Sequence, residues 1–171
     1  AWYGSCTGDV GGKSIMAAHS GNGSSIDVLS ALCRRELAFV ESYRRALNAP
    51  SLAAHASTLR SCLRSHEDRA EQLKSRIRAL KAEPPSSGGV LGAVAKPLEG
   101  AAAAISERAG ILALEEEEDR GSKSYRADFS AMDPESRELI ERRLAPLQAD
   151  THRIMAQLRR ELAPGRQATQ P

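Results

Sequence analysis

Four long stretches of this sequence repeat apolar residues with the 3.6-residue period of an α-helix, and breaks containing proline or glycine separate them. We predict helices over about residues 26–47, 52–82, 103–131 and 133–162. Ser24 and Ser25 precede the first of these helices and are expected to cap it. No segment alternates apolar and polar residues as a strand would, and the composition is dominated by Ala, Leu, Arg and Glu, which favour helix. The sequence therefore predicts an all-α protein.

The lengths of the connections predict how these helices are arranged. Only a few residues join the first helix to the second and the third to the fourth, and short links make neighbouring helices antiparallel. About 20 residues, 83–102, join the second helix to the third. A helix of about 27 residues is roughly 40 Å long, so this connection can run the length of a bundle, with a short helix on the way. We predict a ferritin-like antiparallel four-helix bundle, two helical hairpins joined by a long crossover.

Two features refine the predicted boundaries of the domain. Residues 1–24 are rich in Gly and Ser without periodicity, and residues 164–171 follow a proline, so we predict that both ends are disordered around a domain at 25–163. Met16 is a candidate native start, which leaves open whether residues 1–15 belong to the natural protein. Within the fourth helix, Pro146 has no N–H and is expected to produce a kink.

The composition argues against several classes of partner. Basic and acidic residues number 24 and 22 and are interspersed, and aromatic residues make up only 4%, which disfavours nucleic-acid binding. No apolar run reaches the roughly 20 residues of a membrane span, and none resembles a signal-peptide core, so a cytoplasmic protein is expected. Cys6, Cys33 and Cys62 lack metal-ligand spacing and are expected to be reduced thiols. A homodimer is compatible with such a bundle, although no sequence feature requires one.

Polar residues interrupt the apolar stripe near the middle of each helix. Glu36, His66 and Glu118 lie on the stripes of the first three helices, and the fourth has Gln148, Thr151 and His152 near its inner face. Antiparallel helices of similar length place their midpoints at one height, so these groups are expected to form a layer in the core. An unpaired charge is very costly there, so they must pair with one another, with water or with a metal.

An internal match supports two related hairpins. Glu36 and Glu118 are each followed seven residues later by a tyrosine, Tyr43 or Tyr125, inside a Ser-Tyr-Arg sequence. Seven residues are about two turns, so each glutamate shares a helix face with its tyrosine. A histidine predicted to point inward follows each glutamate, after 30 residues in the first half and 34 in the second. The chain is therefore interpreted as two copies of one hairpin about an approximate two-fold axis.

The chain also resembles a bacterial ferritin-like four-helix-bundle family of uncharacterised function. The resemblance rests on four segments: SIDVLSALCRRELAFVESY, HEDRAEQL, EPPSSGGVLGAVAKPLEG and LEEEEDRGSKSY. The wider superfamily holds two irons with one Glu from each of two helices and a Glu-x-x-His pair from each of the other two. The resemblance implies metal-ligand roles for Glu36, Glu118, His66 and His152, with Tyr43, Tyr125 and Gln148 beside them.

The chain departs from that di-iron pattern at two positions. Leu63 and Ala149 stand three residues before the histidines, where the bridging glutamates belong. Four readings of the layer follow: a hydrogen-bonded network that fixes helix register, a single iron, zinc or manganese site, a di-iron oxidase, or acid–base catalysis without metal. We favour the first, in a non-catalytic, stress-associated binding protein rather than an enzyme. A metal-binding protein, with or without oxidase activity, is the alternative.

Overall fold

The computed structural model describes residues 12–89 and 106–163, with side chains from residue 23 onwards. All regular secondary structure in these ranges is helical, as predicted. The elements are α1 (Gly12–Leu47), a 3-10 helix (Pro50–His55), α2 (Ala56–Ala79), α3 (Glu107–Ser124), α4 (Pro134–Glu138), a π-helical turn (Leu139–Leu144) and α5 (Ala145–Glu161). Helix α1 packs mainly on α2, and α3 mainly on α5, so the described chain is a helical bundle built from two hairpin-like pairs.

Helix α1 begins at Gly12, earlier than the predicted start near residue 26 and within the segment predicted to be disordered. The prediction treated Ser24 and Ser25 as capping residues. Instead, Ser25 is buried inside the helix, and its Oγ accepts a hydrogen bond from the backbone N–H of Asp133 at 2.9 Å. A tertiary contact therefore uses the hydroxyl that the sequence suggested would cap the helix.

The second helix differs from its prediction at both ends. Its first turn, Pro50–His55, is a 3-10 helix that begins with a proline at the first helical position. At its far end Lys81 adopts the left-handed conformation with φ of 62°, and the Ala82 N–H donates to the carbonyl of Ile77 at 3.1 Å. This is a Schellman ending, here built on lysine rather than the more common glycine.

Helix α3 is shorter than predicted and the start of α4 is as predicted. Ser106 caps α3 by accepting from the Ala109 N–H, and the helix ends at Ser124 rather than near residue 131. Asp133 caps α4 by accepting from the Ser136 N–H at 2.9 Å, and Pro134 follows at the first helical position. The short helix predicted within the crossover, and the tail predicted at 164–171, lie outside the described residues.

The disturbance predicted at Pro146 takes the form of a π-helical turn just before it. The N–H of Ala145 donates to the carbonyl of Ile140, five residues back, where an α-helix would use the fourth. Pro146 then falls in the first turn of α5, where its missing N–H needs no partner within the helix. The turn holds one extra residue and so sets which side chains of α5 face the core.

The buried residues form two apolar clusters with polar groups between them. One cluster contains Leu29, Leu73, Phe129, Ile140 and Leu144, and the other contains Tyr43, Leu59, Ile111, Leu114 and Met155, among others. Along each of the four helical stretches, a polar residue separates the positions that enter the two clusters. Among the residues that the structure describes, no helix is both long and apolar enough to cross a membrane.

Candidate functional site

A cluster of buried polar side chains lies between the two apolar cores. We call it the central polar cluster and define it by Glu36, Tyr43, His66, Arg69, Glu118, Tyr125, Gln148 and Thr151, none more than 5% exposed. Helices α1, α2, α3 and α5 all contribute to it, and Tyr125 stands at the end of α3. Three of the four predicted ligands, Glu36, His66 and Glu118, therefore lie together in the core.

His66 bridges the two glutamates from the centre of the cluster. Its Nδ1 lies 2.8 Å from Glu36 Oε2, and its Nε2 lies 2.9 Å from Glu118 Oε1. The ring of Phe39 stacks on the imidazole with centroids 4.3 Å apart and planes inclined by 21°. The imidazole is thereby held in one orientation, with its two nitrogens directed at carboxylates from different helices.

Glu118 is surrounded by donors on both of its oxygens. Oε1 accepts from the Tyr43 hydroxyl at 2.7 Å as well as from His66. Oε2 accepts from Gln148 Nε2 at 2.6 Å and from Thr151 Oγ1 at 3.0 Å. With four donors on two oxygens, this carboxylate is fully engaged by protein groups, which is how a buried anion avoids a large desolvation penalty.

Glu36 is held by a different set of groups, including an arginine. Its Oε1 accepts from the Tyr125 hydroxyl at 2.7 Å. Arg69 Nε lies 3.1 Å from Glu36 Oε2, within ion-pair range, although its N–H is not aligned for a hydrogen bond. Arg69 Nη2 donates to Gln148 Oε1 at 2.9 Å. A fully buried guanidinium therefore links the glutamate of α1 to the amide of α5.

Charge balance indicates the protonation of the cluster. Two carboxylates and one guanidinium leave a net charge of −1 unless one more proton is bound. Burial lowers the pKa of His66, but hydrogen bonds to Glu118 and Glu36 outweigh it, so the pKa is raised. Burial raises the pKa of Glu36, but the charge of Arg69 and the hydrogen bond from His66 outweigh it, so the pKa is lowered. Both directions place the extra proton on His66, as an imidazolium in a neutral cluster.

This assignment leaves one tight contact beside the imidazolium. Arg69 Nη2 lies 2.6 Å from His66 Nδ1, so two donors face each other where the Nδ1 proton is directed at Glu36. The neighbouring carboxylate lies against both groups and offsets their repulsion. The same carboxylate oxygen therefore holds two cations together, and removing it would leave them opposed.

The tyrosines and a nearby thiol are neutral members of this environment. Burial and the charge of Glu118 raise the pKa of Tyr43 well above its usual range, and burial and the charge of Glu36 do the same for Tyr125. Burial and the charge of Glu118 raise the pKa of the Cys62 thiol to about 11. None of these groups is an activated nucleophile near neutral pH, because each favours its protonated form.

The predicted metal ligands do not fit a metal in this arrangement. Among the described residues, no group of three or more His, Cys, Asp or Glu side chains is placed to hold a metal ion. The imidazole stands between the carboxylates with its nitrogens facing opposite ways, and Arg69 brings a positive charge to the same place. The donors that a cation would need are already occupied by protons of the protein.

The prediction for His152 is wrong in position. His152 is only partly buried, whereas every member of the central polar cluster is buried. Gln148 and Thr151 occupy the inner face of α5 instead. In the π turn and α5 the buried positions are 140, 144, 148, 151 and 155, so residue 152 lies about 100° from the inward direction of residue 151.

The two halves of the cluster correspond at a constant spacing of 82 residues. This offset relates Glu36 to Glu118, Tyr43 to Tyr125, Phe39 to Gly121, His66 to Gln148 and Arg69 to Thr151. The tyrosine of each half donates to the glutamate of the other half. The predicted repeat thus places matching residues at matching positions, but the partner of His66 is Gln148, not His152.

Sequence reasoning missed Arg69, although one signal for it was present. Arginine is rarely fully buried, so the prediction did not include Arg69 among the inward-facing residues of the second helix. Two glutamates and one histidine predicted in the same layer nevertheless require a second positive charge for neutrality. Arg69 follows His66 by three residues and so shares its helix face, which identifies it as that charge.

Comparisons with known proteins supply no relative for this chain. No protein-family model, no curated protein and no solved structure matches it.

Proposed function

We propose that this protein is a non-catalytic ferritin-like helical bundle that acts through contacts of its surface. In this proposal the central polar cluster fixes the register of the helices and carries no reaction. One observation carries the proposal: both buried carboxylates are engaged on all their oxygens by donors of the protein itself, in a layer with essentially no exposure. A substrate would have to displace these internal partners to reach them.

The surface grooves support the same conclusion. One groove lies between α2 and the α4–π stretch, and another lies between the start of α3 and the end of α5. Neither is lined by a member of the central polar cluster. The residues of the central polar cluster are therefore separate from both of these grooves, whereas an active site needs reactive groups and an accessible concavity together.

Contacts between helix ends favour the antiparallel, ferritin-like arrangement. Ser25 in the first half of α1 and Arg76 near the end of α2 both contact Asp133, the cap of α4. At the opposite end, His55 before α2 lies 2.7 Å from Glu107 at the start of α3. These contacts match two hairpins with a crossover between residues 82 and 106, the topology of that superfamily.

A register-fixing role predicts a large effect of Glu118 on stability and none on metal content. Glu118→Gln removes one negative charge from the central polar cluster, which is neutral in the wild type. It also points an amide N–H₂ group at side chains that are themselves donors, so they cannot form a hydrogen bond. Breaking a buried ion pair costs about 3–5 kcal/mol, so we expect a loss of roughly 3 kcal/mol in the free energy of unfolding. Glu116→Gln is the matched control, because Glu116 is exposed on the same helix. Urea denaturation followed by circular dichroism measures both variants.

Elemental analysis distinguishes this proposal from a metal-binding role. Protein purified without chelators should contain well below one iron, zinc or manganese per chain, and Glu118→Gln should not change that content. A stoichiometric metal that is lost in Glu118→Gln but kept in Glu116→Gln would overturn the proposal. Oxygen-dependent absorption after iron loading would identify an oxidase instead.

A further inference from the structure

A surface groove of about 460 Å³ runs between the second half of α2 and the α4–π stretch. Ala79 of α2 and Leu139 of the π turn contribute apolar surface to it. Glu135 and Glu138 line one part of it, and Arg142 and Arg143 line another. No member of the central polar cluster lines the groove, so the role proposed for that cluster leaves the groove unexplained.

The charges along this groove are arranged in order. The two acidic residues precede Leu139 in the helical stretch and the two basic residues follow it, with Leu139 close to the midpoint. At the helical rise, the centres of the acidic and basic pairs are roughly 9 Å apart. The side chains are well exposed, at 78% for Glu135, 62% for Glu138 and 78% for Arg142. Arg76 of α2 also lines the groove, but it is only 13% exposed and is paired with Asp133 and Glu135. The exposed charges of the helical stretch therefore form an acidic half before Leu139 and a basic half after it.

The ion pairs already present do not prevent new ones. Arg142 lies 3.2 Å from Glu138, and Arg76 lies 2.7 Å from Glu135, but both pairs are at the surface. Exposed pairs of this kind contribute little, so exchanging them for contacts with another molecule costs little. Arg143 has no ion-pair partner among the described residues, so it is available without any exchange.

A surface with this order of charges is complementary to itself. When two copies meet about a two-fold axis, the order of residues along one copy is reversed in the other. Residues that precede the axis in one copy therefore contact residues that follow it in the other. An axis passing near Leu139 would place the acidic half of one copy on the basic half of the other, twice, with the two leucines in contact between them. An unrelated partner would need the same sequence of charges by coincidence, whereas a second copy supplies it by symmetry.

We infer that this groove is the interface of a symmetric homodimer, with a second copy of the chain as its occupant. The inference rests on the proposed function, since it names the partner that the surface of a non-catalytic bundle contacts. Each copy contributes both halves of the groove, and Leu139 provides the apolar centre that such interfaces place inside a polar rim.

The test uses two charge-reversed variants of the full chain. The basic variant is Glu135→Arg with Glu138→Arg, and the acidic variant is Arg142→Glu with Arg143→Glu. Each should repel its own copies at both contacts. An equimolar mixture should pair, because the reversed halves of the two variants meet each other with opposite signs, and so do their two unreversed halves. Sedimentation velocity at low salt, over about 10–100 μM, measures the state of each sample, since small interfaces bind at micromolar concentrations.

We expect the wild-type chain to dimerise, each variant alone to dimerise at least about 100-fold more weakly, and the mixture to recover dimer. Asp150→Arg with Glu161→Arg is the control, because it makes the same change in net charge at exposed positions of α5. A wild-type chain that is monomeric throughout, a control that dissociates like the basic variant, or a mixture that stays monomeric would each overturn the inference.

The result is separable from that of the proposed function. Circular dichroism spectra of both variants should match the wild type, because all four residues are exposed. A monomeric wild-type chain that contains no metal, and that is destabilised by Glu118→Gln, would remove the dimer and leave the proposed role of the cluster standing.

Discussion

The two helix pairs, α1–α2 and α3–α5, place the same glutamate and tyrosine in the core but support them differently. The first pair supplies both cations of the cluster, His66 and Arg69, whereas the second supplies an amide and a hydroxyl at the equivalent positions, Gln148 and Thr151. The positive charge that neutralises both glutamates therefore comes from the first pair. The difference shows that the repeat preserves the positions of the layer, while only one half provides its electrostatic balance.

The largest expected effect comes from removing the arginine that only the first helix pair contributes to the cluster. Arg69→Met keeps a long apolar stem but leaves the cluster with an uncompensated negative charge, and we expect a loss of about 3–5 kcal/mol in the free energy of unfolding. Thr151→Val, at the equivalent position, removes one hydrogen bond and should cost only about 1 kcal/mol. Urea denaturation measures both, with exposed Arg64→Met as the control. Equal losses at residues 69 and 151 would contradict the asymmetry.

The next effect tests a position at which the first half of the chain has an aromatic ring and the second half has a glycine. Phe39 has Gly121 as its equivalent, and a Cβ added at Gly121 would lie 2.7 Å from Phe39 Cζ. Gly121→Ala should therefore cost about 1–3 kcal/mol through overpacking. Phe39→Leu replaces the ring with a shorter side chain and so removes the atom that would clash with the added Cβ. In a double-mutant cycle by thermal denaturation, the two changes together should cost less than their sum, and simple additivity would show that the contact is not the cause.

A smaller effect tests the two tyrosine–glutamate hydrogen bonds, which should contribute equally to the free energy of unfolding. Tyr43→Phe removes a donor from Glu118, and Tyr125→Phe removes a donor from Glu36. Each change leaves a buried carboxylate with one partner fewer and should cost roughly 1–2 kcal/mol. Chemical denaturation of the two variants should give values that agree closely. A much larger loss for one tyrosine would mean that the symmetry of the positions does not extend to their energies.

The smallest effect near neutral pH is the dependence of stability on pH. The pKa of His66 is raised, so its contribution is complete below about pH 6.5 and is lost as the pH rises through the folded-state value. The pKa of Glu36 is lowered, so its contribution is complete above about pH 4.5 and is lost as the pH falls through the folded-state value. Each group changes the free energy of unfolding by at most about 1.4 kcal/mol per pH unit.

A plateau of stability is therefore expected around pH 5–6, with a decline on either side. Unfolding free energies measured across pH for the wild type and for His66→Gln provide the check. The alkaline decline should disappear in the variant, and an unchanged alkaline limb would exclude an imidazolium in the cluster.

The sequence predicted the helices and most of the layer because both depend on local periodicity. Glu36, His66 and Glu118 interrupt apolar stripes at mid-helix, and an interruption of that kind is readable without any tertiary information. The prediction failed at His152. It followed the ability of histidine to bind a metal, although the spacing of the apolar positions indicates Gln148. It also failed at Ser25, whose hydroxyl serves a distant backbone N–H that no local pattern reveals.

The π turn at Leu139–Leu144 explains a change in the number of residues that separate equivalent positions in the two halves of the chain. Buried Leu59 and Ile140 are 81 residues apart, whereas Cys62 and Leu144 are 82 apart, so the two halves differ by one residue across the turn. A π turn accommodates a residue without rotating the helix on either side. Deleting one residue within it should therefore leave Gln148 and Thr151 aimed inward, while a deletion after residue 146 would turn them away. This turn is therefore the place in the fourth helical stretch where a change of one residue in length leaves the central polar cluster in place.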